Sequence, residues 1–216
     1  MPTEVAVVDY GAGNLLSVQR GLEHCGARVV LTADPERILG AKRVVLPGVG
    51  AFGSAMQALE SLGLVVALRE LSRRQTPLLG ICLGMQLLLE ESQEFGHTMG
   101  LGLIPGKVVP LPNTSHSGKA LKIPEVGWNA LQPTAGSPDW YSTILKKCKP
   151  GEAVYFVHSF MAVPTQHSDR IASYEFGGHA VAAVIRKRSI TGCQFHPEKS
   201  GMVGIKILKS FVEQCC

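Results

Sequence analysis

Short apolar runs at residues 5–8, 28–31 and 43–46, and another just before Cys82, alternate with stretches of helical periodicity. Strands that read as continuous apolar runs are buried on both faces, which happens when helices cover both sides of a parallel sheet. The first half of the chain therefore predicts an α/β fold: a mostly parallel central sheet flanked by helices. Helices are expected over 15–24, after Asp34-Pro35, near 54–62, and in a further stretch ending at Arg73. Ligands of such sheets gather at the carboxyl ends of the strands. That geometry puts the loops after Val8, Leu46 and Ile81 on one side of the molecule.

The second half changes character. Residues 96–139 are rich in glycine, proline and serine, with 112–118 the most linker-like piece, and are expected to form a surface loop. Strand signals resume at 153–157, 170–174, 181–185 and 190–195, and are expected to extend the sheet with antiparallel members. A closing helix is expected from about 203 to 214. With 216 residues, of which 45% are hydrophobic, the chain suits a single domain over 1–216. No internal repeat is visible.

Composition narrows the function. The formal net charge is only +4, and the two basic clusters, Arg186-Lys187-Arg188 and Lys146-Lys147, carry no interleaved aromatics, which argues against a nucleic-acid partner. The first ten residues include Glu4 and Asp9 and lack the order of a signal peptide. No run approaches the roughly 18 apolar residues of a membrane span, so a cytoplasmic location and no membrane partner are expected. Six cysteines form no C-x-x-C pair and sit at no zinc spacing, which predicts a reduced compartment without a structural metal; no cofactor is expected. Cys215 and Cys216 are expected to be exposed thiols without a role.

Gly80-Ile81-Cys82-Leu83-Gly84 follows an apolar run and precedes the helical 85–90, so Cys82 falls on a sharp strand-to-helix turn. This is the pattern of a nucleophile elbow with sulfur in place of oxygen. The flanking glycines answer a mechanical need, because strand and helix approach too closely for a Cβ and the turn strains the backbone. A thiol there sits at a helix N-terminus, where the dipole favours the thiolate. Far along the chain, Gln194-Phe195-His196-Pro197-Glu198 follows another strand pattern and supplies His196 as a base and Glu198 to orient it. A lone Gly-x-Cys-x-Gly also suits a turn around a buried, inert cysteine, and a lone His-Pro-Glu suits a solvated loop. Together, on strand ends of one α/β domain, they favour catalysis.

Pro47-Gly48-Val49-Gly50 also ends a strand. Amides of Gly48 and Val49, with that of Leu83, are placed to bind the oxyanion formed when Cys82 attacks a carbonyl. Asp9-Tyr10-Gly11-Ala12-Gly13-Asn14 has a dinucleotide-binding look, but Leu16 stands where the third glycine belongs, and a glycine turn before a helix accounts for it. Gly127-Trp128-Asn129 reads as a loop with a partner-contacting ring. His158 reads as a satisfied strand-end histidine and not as the base.

These motifs together resemble a known family. Gly-Ile-Cys-Leu-Gly-Met-Gln at 80–86 with His-Pro-Glu at 196–198 is similar to the triad class of glutamine amidotransferases. Asp-Tyr-Gly-x-Gly-Asn at 9–14, Pro-Gly-Val-Gly at 47–50, Gly-Trp-Asn at 127–129 and His-Pro-Glu-Lys-Ser at 196–200 resemble, more narrowly, the glutaminase subunits of imidazole glycerol phosphate synthases, which serve histidine biosynthesis. The resemblance spans essentially the whole chain. It implies hydrolysis of L-glutamine, with ammonia passed through a tunnel to a separate (β/α)8-barrel synthase in a heterodimer. It also implies Cys82 as nucleophile, His196 as general acid/base and Glu198 as orienter. Gly50 and Gln86 would contact bound glutamine, Glu94 its α-amino group, and the Ser159-Phe160 backbone its carboxylate. Asn14, Gly127, Trp128, Asn129 and Lys199 would face the partner. One residue departs from the pattern: Glu125 stands two positions before Gly127, where the family often has histidine. That departure leaves a paralogue feeding a surface-sugar synthase as an alternative, and a non-catalytic α/β binding module is the alternative of another class.

Overall fold

The computed structural model describes residues 2–134, 136 and 139–213. Cys215, Cys216 and the expected end of the closing helix at Gln214 lie outside the described residues.

The first half alternates strand and helix: β1 (Glu4–Val8), α1 (Leu15–His24), β2 (Arg28–Thr32), α2 (Pro35–Gly40), β3 (Val44–Leu46), α3 (Phe52–Ser61), α4 (Leu64–Arg73), β4 (Leu78–Ile81) and α5 (Leu83–Leu87). Local chemistry sets the helix starts. Asp34 Oδ1 accepts from the amide of Glu36 at 2.9 Å while Pro35 takes the first helical position, where a missing N–H costs nothing. Asn14 caps α1 by accepting from the Ser17 amide at 3.3 Å.

The second half contributes β5 (Glu91–Ser92), β6 (Thr98–Met99), β7 (Gly106–Pro110), β8 (Glu125–Ala130), β9 (Gln132–Pro133), β10 (Ala153–His158), β11 (Phe160–Pro164), β12 (Arg170–Phe176), β13 (His179–Lys187), β14 (Ile190–Cys193) and the closing helix α6 (Gly201–Val212). Among the described residues, the main sheet has eight strands in the order β2-β1-β3-β4-β14-β13-β12-β9. The first five are mutually parallel, and β13, β12 and β9 follow antiparallel. The expected α/β architecture and its antiparallel extension are both present.

Side chains of the central parallel strands alternate between the two faces of the sheet and so divide the core in two. Val5, Val7, Val45 and Leu79 pack with Val18 and Leu22 of α1 and Ile207, Leu208 and Phe211 of α6. Ala6, Val8, Val44 and Leu78 face the other way, against Ile38 of α2, Phe52 of α3 and Leu64, Leu68 and Leu71 of α4. β1, β3 and β4 are thus buried on both faces, which is why they read as continuous apolar runs.

Three expectations need correction. β14 does not extend the sheet antiparallel; it lies parallel beside β4 with Cys193 opposite Ile81, and all four of its residues are buried, as a central strand requires. Residues 153–158 do not join the main sheet. They form β10, whose burial alternates, and pair antiparallel with β8 as a separate two-stranded ribbon. The segment 96–139 is not one surface loop, since it holds β6, β7, β8 and β9, and β7 joins a four-stranded sheet in the order β11-β7-β5-β6. Gly127, Trp128 and Asn129 therefore lie on a strand. Its residues alternate between half-buried and exposed, a pattern that glycine and asparagine disguise in sequence.

Candidate active site

Adjacency of β4 and β14 brings together residues more than a hundred positions apart. Cys82 follows directly after β4 and its amide donates to the Cys193 carbonyl at 2.8 Å, while the chain leaving β14 runs on to His196. Cys82 has φ 54° and ψ −110°, a conformation side-chain-bearing residues rarely adopt. The glycines on either side are sterically required. A Cβ on Gly84 would lie 1.8 Å from the Leu46 carbonyl oxygen, and one on Gly80 would lie 2.6 Å from that of Gly84. The elbow is therefore wedged between β3 and its own strand, with the thiol held at the sheet's carboxyl edge.

His196 is 3% exposed, and its Nδ1 lies 2.8 Å from Glu198 Oε1, both side chains being shielded from solvent. Burial alone would disfavour the imidazolium. The Cys82 sulfur and the Glu198 carboxylate outweigh it and push the His196 pKa up to about 9. Nε2 has no hydrogen-bond partner of ordinary geometry among the described residues, so Cys82 is the group that acts on that side of the ring. The histidine backbone is sewn to the ribbon: its amide donates to the Tyr155 carbonyl at 3.0 Å, and Ser200 Oγ donates to the His196 carbonyl at 2.7 Å while accepting from the Tyr155 amide at 3.0 Å.

A cleft of about 360 Å³ opens over the sulfur and brings Val49, Gly50, Cys82, Leu83, Gln86, Glu94, Ser159, Phe160 and His196 together. Gly48 lies beneath its wall, packed so closely that a Cβ would meet the Tyr10 hydroxyl at 2.5 Å, and Glu198 stands behind His196. Tyr10 donates to the Pro47 carbonyl at 2.9 Å and so pins the 47–50 loop. Leu83 supplies the first amide of α5, which lies outside the helix's own hydrogen bonds. Glu94 accepts from the Phe52 amide at 2.5 Å, at the start of α3.

The expected partner-facing residues lie outside the cleft. Trp128 is 57% exposed on β8, its ring 5.9 Å from that of Tyr155 on β10. Lys199 and Asn14 are exposed as well. Gly127 and Asn129 point to the opposite, half-buried side of the strand, where Asn129 Nδ2 donates to Glu125 Oε1 at 2.8 Å. Glu125, the departure from the family pattern, is thus satisfied within its own strand.

Sequence reasoning missed three participants. Phe95, at φ 53°, is 92% exposed at the cleft with its ring 6.4 Å from that of Phe160. Tyr174 bonds His158 Nε2 at 2.8 Å, and His158 Nδ1 bonds the Phe160 carbonyl at 2.9 Å; burial lowers the His158 pKa to about 4, so it is neutral and is not the base. Gln194 is fully buried beside Cys82. An amide side chain within the strand pattern at 190–195, two residues before His196, was the available signal for it. A larger cleft of about 480 Å³ lies between Pro133 and Pro150. Burial pushes the thiol of its Cys148 up to about 11, away from the thiolate a nucleophile needs. No group of three or more His, Cys, Asp or Glu side chains among the described residues is arranged to hold a metal ion.

The family model "Glutamine amidotransferase class-I" matches residues 6–215. "Imidazole glycerol phosphate synthase subunit HisH 1" of Legionella pneumophila (strain Lens) is 47% identical over 211 residues, covering 98% of this chain and 99% of that protein. "Imidazole glycerol phosphate synthase subunit HisH" of Geobacillus kaustophilus is 44% identical, covering 96% and 95%. A solved structure described as a glutamine amidotransferase superposes with a TM-score of 0.72 at 16% identity over 97% of each chain, a likeness of fold. With the elbow, the paired His196 and Glu198 and full-length kinship in view, the chain belongs to the class-I glutamine amidotransferase family.

Proposed function

We propose that this chain is the glutaminase subunit of an imidazole glycerol phosphate synthase, hydrolysing L-glutamine to glutamate and ammonia for a separate (β/α)8-barrel subunit. The observation that carries the chemistry is the buried His196–Glu198 pair set beside a cysteine on a strained elbow. Full-length similarity to HisH subunits supports the choice of pathway.

His196 takes the thiol proton, and Cys82 Sγ attacks the side-chain amide carbon of glutamine. Backbone amides of Leu83 and of the Gly48-Val49 segment receive the oxyanion. The protonated His196 then gives its proton to the departing nitrogen, releasing ammonia and leaving a thioester. Water, deprotonated by His196, cleaves the thioester to glutamate and restores the thiol. Glu198 holds the ring with Nδ1–H towards itself, so that Nε2 faces the sulfur. Gly50, Gln86, Glu94 and the Ser159-Phe160 backbone line the cleft where the amino-acid end of the substrate fits. Asn14, Gly127, Trp128, Asn129 and Lys199 are assigned to the partner side.

The test is glutamate production by the chain together with its barrel partner. Cys82→Ala is expected to lower turnover by roughly 10³-fold or more while the melting temperature stays near the parent's. Turnover near the parent level in that variant removes Cys82 as nucleophile.

A further inference from the structure

Around Cys82 runs a chain of buried and part-buried hydrogen bonds whose polarity is fixed at one end. The Phe160 carbonyl can only accept, so His158 Nδ1, 2.9 Å away, carries the proton; His158 Nε2 then accepts from the Tyr174 hydroxyl at 2.8 Å. The same carbonyl accepts from Gln86 at 3.0 Å, which identifies the atom there as the amide nitrogen, Nε2. Gln86 Nε2 also reaches Gln194 at 3.1 Å, so the Gln194 atom facing it is the oxygen, Oε1. By elimination the NH₂ of Gln194 points at Cys82 Sγ, 3.8 Å away. Gln194 is 0% exposed and Gln86 is 6% exposed, so neither amide can turn round and find water instead.

We infer that Gln194 is a hydrogen-bond donor to the reacting sulfur, held in that orientation by Gln86 and the Phe160 carbonyl, and that it stabilises the Cys82 thiolate. In the thiol form, Cys82 Sγ donates weakly to the Val157 carbonyl at 3.8 Å. Once the proton has gone to His196, a carbonyl no longer favours the sulfur and a buried N–H does. The donor thus acts on the charged form and survives the change that abolishes the other contact. Because the chain ends on the Phe160 carbonyl, beside the backbone assigned to the substrate's carboxylate, the same amides set the distance between nucleophile and substrate anchor. This inference rests on the proposed thioester chemistry.

The experiment measures alkylation of Cys82 by iodoacetamide in the full chain, followed by mass spectrometry of the peptide containing it, between pH 5.5 and 10. Alkylation needs neither glutamine nor a partner. Gln194→Met, similar in size but without the donor, is expected to react about tenfold more slowly than the parent near pH 6 and to approach the parent rate at high pH. Gln194→Glu, which turns an acceptor towards the sulfur, is expected to shift the profile further in the same direction. Superimposable profiles for parent and variants overturn the inference. A variant that fails to fold leaves a second reading on the parent itself: the side-chain amide protons of Gln194, observed by NMR, are expected to move when Cys82 is carboxamidomethylated. Unchanged resonances overturn the inference as well. The Cys82→Ala turnover assay separates the two ideas. Retained turnover there sinks the function, whereas lost turnover with parent-like Gln194 profiles sinks only the donor role.

Discussion

His196 holds its proton more tightly in the folded protein than in the unfolded chain, because Cys82 and Glu198 together outweigh burial. The stabilisation this brings is complete below about pH 6.5 and is lost as pH climbs through about 9. Thermal melts of the parent are therefore expected to fall between those values more steeply than melts of His196→Ala, and parallel curves would contradict the pairing. In the proposed mechanism, the proton that stabilises the fold is also the one delivered to departing ammonia. Glutamine turnover should decline above about pH 9, while alkylation of Cys82, which needs no proton donor, should not. Glu198→Gln is expected to cost turnover roughly ten- to a hundredfold less than His196→Ala, since orienting a base contributes less than being one. Equal losses would show that the carboxylate does more than orient.

The elbow works because three segments meet without room for side-chain carbon. Gly84→Ala places a methyl group 1.8 Å from the Leu46 oxygen, so α5 must move away from β3. A loss of about 3 kcal/mol is expected, read by chemical denaturation, with turnover falling as the thiol shifts. A variant of parent stability would mean that α5 is free to slide. This glycine was legible in sequence because its spacing from Cys82 implies the close approach; so were Asp34-Pro35 as a helix start and Val5 to Val8 as a strand buried on both faces. β14 was located but misdirected, since its apolar residues suit either orientation and only its place beside β4 decides. The ribbon was lost for a different reason. Gly127 and Asn129 carry no strand preference, and β8 is held by its pairing with β10, a contact no local window contains. The triad needed only motifs. The amides of Gln86 and Gln194 needed the fold, because their roles follow from which atoms are buried against which.

At the scale of the molecule, the parallel half carries Cys82 and the ribbon braces His196. Trp128 leans on Tyr155, and the Tyr155 backbone holds His196. Tyr10, on the same loop as Asn14, pins Pro47 beside the oxyanion amides. Two tethers thus run from the side assigned to the partner to the site, and glutamate production is expected to rise about tenfold or more when the barrel subunit and its acceptor ligand are added. Trp128→Ala should blunt that rise and spare the basal rate. Full activity in the lone chain, unchanged by the partner, would mean that the site is assembled from the outset.

If the ribbon relays docking of a partner inward to His196, it must relay events at His196 outward with the same strength. Free energies of binding are reciprocal: if docking the barrel favours one arrangement of His196, then locking that arrangement from the cleft must favour docking by an equal factor. A chain whose Cys82 bears a glutamine-derived adduct should therefore bind the barrel more tightly than the free chain does. Titration calorimetry on the two forms would measure that factor with no turnover at all, and the subunit would in effect report to its partner that it is loaded.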